Sequence, residues 1–112
     1  MSTVPAKPPG ASGAWRYFPS RGVRAARKWA ARGGIAVHEN IYPSRGRRTC
    51  HLLARDEAAL VAAALSVGCR ARWIQRTSTL HFDLVAPQLA GALRRCGLDP
   101  TVSPVFLRDV RE

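Results

Sequence analysis

Gly33-Gly34, Gly68 and Gly97 each end a stretch with helical apolar spacing, and these stops dictate where the chain passes from helix to strand. Ahead of the first, Ser20 reads as the N-cap of a short helix. Its wheel gathers Arg21, Arg24, Lys28 and Arg32 on one face and turns Val23, Ala26, Trp29 and Ala30 towards the other. Asp56 reads as the cap of a second helix running through Val67. Pro87 suits the first turn of a third, with Leu89, Ala92, Leu93 and Cys96 facing inward.

The segments between the stops alternate as strands do. Expected strands cover 35–39, 47–54 after a turn at 42–46, 70–76 and 79–84; an edge strand over 101–107 is weakened by Pro104. A chain of 112 residues accommodates one hydrophobic core. The fold class predicted is α+β: a four-stranded, largely antiparallel sheet with two helices on one face in the order ββαββα, preceded by a basic N-terminal helix. Residues 1–13, rich in Pro, Gly and Ser, read as a disordered lead-in. Residues 14–34 read as a basic aromatic arm with a short helix, and 35–112 as the single domain.

Side chains on a strand alternate between the sheet's faces, so each strand divides into an apolar and a polar set. Leu80, Phe82 and Leu84 oppose His81 and Asp83; Cys50 and Leu52 oppose His51 and Leu53; Ile35 and Val37 oppose His38. In the third strand Ala71 and Trp73 are expected inward, with Arg70, Arg72, Ile74 and Arg76 outward. The result is one open face carrying three imidazoles, a carboxylate and several guanidinium groups. Leu53 and Ile74 fit poorly on that face.

These residues support two functions of different classes. As an enzyme, the chain would use His51, His81 and Asp83 as a catalytic ligand set for a divalent metal, completed by His38 or Glu39. Two imidazoles and a carboxylate suit Zn or Fe(II), and such an ion can activate water against a phosphoester. The plain alternative is that His81 and Asp83 hydrogen-bond each other or Arg72. As a binding module, the chain would take nucleic acid or another phosphate-bearing anion. Arg21, Arg24, Lys28 and Arg32 of the helix, Arg45, Arg47 and Arg48 of the turn, and Arg70, Arg72 and Arg76 of the third strand would be its ligand-binding residues. A phage or mobile-element protein-interaction factor is a third class that length and charge permit.

Charge favours an anionic partner. There are 18 Lys and Arg against 7 Asp and Glu, a net +11, and residues 1–34 hold seven of the bases and no acid. That excess creates a field that attracts polyanions. Cys50, Cys69 and Cys96 lack a Cys-x-x-Cys spacing, and the N-terminus carries no apolar signal run, which together point to reduced thiols in a cytoplasm. The longest apolar stretch, from Ala58 to Leu65, is far short of the ~18 residues of a membrane span. Cys50 neighbours His51 but belongs to the opposite face, so a Cys-His nucleophile is not expected.

Val37-His38-Glu39, Cys50-His51-Leu52, Trp73-Ile74-Gln75 and His81-Phe82-Asp83 follow one another in the order and at about the spacing of recurring elements in short bacterial proteins grouped as domain of unknown function 4031. The chain resembles that family over about residues 35–98. It departs at Glu39, where the family pattern has Asp. The resemblance implies a small bacterial domain and no particular activity.

Overall fold

The structure, a computed structural model, describes residues 13–40 and 49–100. Its elements run β1 (Trp15–Phe18), a single 3-10 turn (Ser20–Gly22), α1 (Val23–Ala31), β2 (Ile35–Glu39), β3 (Cys50–Leu53), α2 (Glu57–Ser66), a 3-10 turn (Ala71–Trp73), β4 (Gln75–Arg76), β5 (Leu80–Leu84) and α3 (Gln88–Arg95). The α+β class holds. The four-stranded antiparallel layout does not: the sheet has five strands in the order β1-β2-β3-β5-β4 and is mixed, because β1 runs parallel to β2.

Trp15–Phe18 lies in the stretch expected to be a basic aromatic arm, and it forms strand β1 instead. Its alternation is that of a two-sided strand. Trp15 and Tyr17 pack against the main core, Phe18 enters a smaller one on the other face, and the guanidinium of Arg16 lies 5.3 Å from the ring centres of both Phe18 and Trp29. A parallel pair needs a crossover, and α1 supplies it. The basic N-terminal helix is therefore built into the domain and does not merely precede it.

The two faces are covered differently. Ile35, Val37, Cys50, Leu52, Phe82 and Leu84 meet Leu60, Ala63 and Ala64 of α2 and Leu89, Ala92 and Leu93 of α3 in the main core, as alternation predicts. On the opposite face α1 lies over β1, β2 and β3, and Ala26 and Ala30 bury Ala36 and Leu53. Leu53, awkward on an open face, is 6 % exposed because α1 roofs it. Small residues allow that close approach: a Cβ on Gly34 would lie 2.3 Å from Trp29 Nε1, which itself donates to the Ala14 carbonyl at 3.0 Å.

The helix ends follow the sequence signals, with one exception. Gly33, Gly68 and Gly97 take positive φ of 102°, 98° and 82°, the left-handed conformation that closes a helix with least strain in glycine. Asp56 caps α2 by accepting from the Ala59 N–H at 2.8 Å. Ser20 does not cap α1; the chain makes a 3-10 turn there first, and Gly22 occupies the N-cap without a side-chain bond.

The third predicted strand is mostly absent. Trp73 N–H bonds the Arg70 carbonyl at 2.9 Å and Ile74 N–H bonds the Ala71 carbonyl at 3.2 Å, closing a turn where alternation suggested extension. Trp73 is consequently 40 % exposed, while Ile74 packs on the main core. The predicted turn at 42–46 and edge strand over 101–107 lie outside the described residues. No helix among the described residues is long and apolar enough to cross a membrane.

Candidate metal centre

β3 and β5 are antiparallel neighbours with His51 directly opposite Asp83, and His81 stands two residues before Asp83 on the same face of β5. Register and alternation thus bring three side chains from two strands to one point. Asp83 Oδ1 lies 3.2 Å from His81 Nε2 and 3.5 Å from His51 Nε2, and the three ligand atoms all fall within 4.8 Å of one another. The His51 and His81 ring centres are 4.6 Å apart. The cluster sits beside the roof formed by α1, with His81 14 % exposed, His51 30 % and Asp83 48 %.

Hydrogen bonding sets which atoms are available. His81 Nδ1 is 2.9 Å from the Thr79 carbonyl oxygen, which only accepts, so Nδ1 carries the proton. In the neutral ring Nε2 then presents a lone pair to the carboxylate. Two acceptors 3.2 Å apart repel unless a proton or a cation lies between them. The Thr79 carbonyl fixes the tautomer and orientation of His81, an arrangement also found behind metal-binding histidines. Ligand atoms each ~2.1 Å from a tetrahedral ion are separated by about 3.4 Å; the two separations from Asp83 Oδ1, 3.2 and 3.5 Å, are close to that edge, while the set as a whole spans up to 4.8 Å.

Burial lowers the His51 pKa below 6.5, the nearby His81 lowers it further, Asp83 opposes the shift, and His38 adds a smaller lowering. His51 is thereby kept neutral near physiological pH, which is the form that binds a metal.

His38 and Glu39 do not complete the set. His38 faces His51 across the β2–β3 ladder, but its Nε2 donates to the Ser20 carbonyl at 3.0 Å. Glu39 points through the other face of β2, is 5 % exposed, and accepts from the Tyr17 hydroxyl at 2.7 Å. Cys50 is fully buried in the main core.

The predicted arginines are scattered. Arg76 is paired with Leu80 and so shares the helix-covered face, where it makes a two-pronged ion pair with Glu57 at 3.0 and 2.8 Å. Arg70 and Arg72 belong to the 3-10 turn region and are exposed, with Arg72 at the margin of a cleft that also includes Asp83. Arg21, Arg24, Lys28 and Arg32 are exposed along the N-terminal turn and helix. Arg45, Arg47 and Arg48 lie outside the described residues.

Sequence reasoning missed Arg27. It lines a recess of about 170 Å³ together with Val23, His38, His51, His81 and the 77–79 loop. A helical wheel assigns Arg27 to neither principal face, and only the crossover of α1 brings it opposite the histidines. No family model, curated protein or solved structure matches this chain.

Proposed function

We propose that His51, His81 and Asp83 hold a divalent metal ion and that the centre binds and hydrolyses a phosphate-bearing ligand. The convergence of two Nε2 atoms and one carboxylate oxygen, with the His81 tautomer set by the Thr79 carbonyl, carries this reading. A metal held there supplies Lewis acidity and brings a water towards ionisation near neutral pH. Arg27 would hold the phosphate in the adjoining recess through the planar fork of its guanidinium. Oxygen from water forms a bond to phosphorus, the ester P–O bond breaks, and the proton released from the water returns to the departing oxygen. The resemblance to domain of unknown function 4031 is part of this proposal, because two of its motifs, Cys50-His51-Leu52 and His81-Phe82-Asp83, contain all three proposed ligands.

The test is metal content and turnover. Protein loaded with Zn, Mn or Fe(II) is expected to retain about one equivalent and to release nitrophenol from bis(p-nitrophenyl) phosphate, with His81→Ala losing both. Protein that retains no ion and gains no activity from any of the three overturns the proposal.

A second reading draws on the exposed bases Arg21, Arg24, Lys28 and Arg32, none of which has an ion-pair partner among the described residues. They form a cationic rim by which a nucleic acid backbone would dock, with affinity falling steeply as salt rises.

A further inference from the structure

The His51–His81–Asp83 cluster contributes to the walls of two recesses of unequal size. His51 and His81 wall the smaller, of about 170 Å³, and Asp83 walls the larger, of about 470 Å³. Pockets for whole organic ligands span roughly 300–1,000 Å³, so the larger recess is of that class and the smaller is sized for a single group. Because the three side chains of one cluster are shared between the two walls, a ligand seated in both would lie against the cluster.

The larger recess includes Asp83 and Val85, past the point where β4 stops short: β4 pairs only with Leu80 and His81 of β5, leaving the residues beyond His81 without a strand partner on that edge. Its wall contains Trp73, 40 % exposed on the 3-10 turn, an unusual position for the largest apolar side chain. Val85 adds an apolar surface, and Gln75 and Gln88 bring amides whose only hydrogen bonds among the described residues are long ones of 3.4 Å through Nε2. Arg72 has no ion-pair partner among the described residues. An aromatic face, unspent amide groups and a planar cation suit a flat heteroaromatic ring with edge donors and acceptors.

We infer that this larger recess is the base subsite of a nucleotide-binding site, with Trp73 stacking on the base and the ligand's phosphate reaching past Asp83 to Arg27. The inference rests on the proposed metal centre for the position of the phosphate, and it assigns the substrate class as a mononucleotide. Trp73 and Arg72 are specificity residues in it, separate from the metal ligands.

Calorimetric titration of the full chain, in EDTA and again with Mn, with AMP and ribose 5-phosphate as probes tests it. AMP is expected to bind about tenfold more tightly than ribose 5-phosphate in both conditions. Trp73→Ala should erase that difference while Trp73→Tyr keeps most of it, and neither should alter Mn affinity. Equal affinity for the two probes, or AMP binding indifferent to Trp73→Ala, overturns the base subsite even if Mn binds. Trp73-dependent preference for AMP in a protein that retains none of Zn, Mn and Fe(II) supports the subsite and refutes the metal centre alone.

Discussion

His38 stands directly opposite His51 in the β2–β3 ladder, their ring centres 6.1 Å apart, yet the two imidazoles are committed to different partners. His38 serves the Ser20 carbonyl and His51 turns to Asp83. Neighbouring histidines on one face therefore have different partners, a main-chain carbonyl for His38 and a carboxylate for His51.

That division predicts the outcome of an alanine series read by Zn titration against a competing chelator. His51→Ala, His81→Ala and Asp83→Ala should each lower affinity by about a hundredfold or more, since even outer-shell losses cost 10–100-fold. His38→Ala should stay within about tenfold of the parent, and circular dichroism should record its main cost as stability.

In the metal-free protein, the His51 ring protons followed by NMR should titrate below pH 6.5. His81→Ala removes a lowering influence and moves the midpoint up, whereas Asp83→Asn removes the opposing one and moves it down. Because the folded pKa is depressed, the stability linked to neutral His51 is complete above 6.5 and is lost as pH falls through the folded value. Denaturant midpoints should decline over that interval less steeply in His51→Gln.

Gly34→Ala should destabilise the fold by about 1–3 kcal/mol, the usual cost of forcing extra volume into a packed site. The new Cβ would meet the Trp29 indole at 2.3 Å. Chemical denaturation of a double-mutant cycle with Trp29→Leu should return part of that loss, because the obstructing ring is gone.

The thiols should be silent in the native state. Burial pushes Cys96 up to about 12 and raises Cys69, while Cys50 is fully buried, so iodoacetamide at pH 8 should label none of the three until the protein is unfolded. Rapid labelling of Cys50 in folded protein would contradict its placement in the core.

Alternation along β2, β3 and β5 was enough to put His38, His51, His81 and Asp83 on one face, because those strands lie in the sheet interior with a second set that is apolar apart from Glu39. The same rule failed at 70–76, where local backbone bonds within Arg70–Ile74 override a pattern too short to be distinctive. β1 was illegible for a different reason: its partner, β2, is reached only through the α1 crossover, and a four-residue segment carries no sign of a non-local parallel mate. Missing β1 left α1 without a place, and with it Arg27. Leu53 was the one clue, an apolar residue on the polar face that called for a cover.

The crossover through α1 gives the proposed site a divided origin. Its three ligands come from residues 51–83, but the guanidinium across from them arrives from residue 27, delivered by a helix that also shelters Ala36 and Leu53. Arg27→Ala would keep every proposed ligand and the buried Ala26 and Ala30 while removing the cation opposite. Ion capture and anion capture are thus separable by one substitution, the first encoded in the later part of the polypeptide and the second contingent on its opening third.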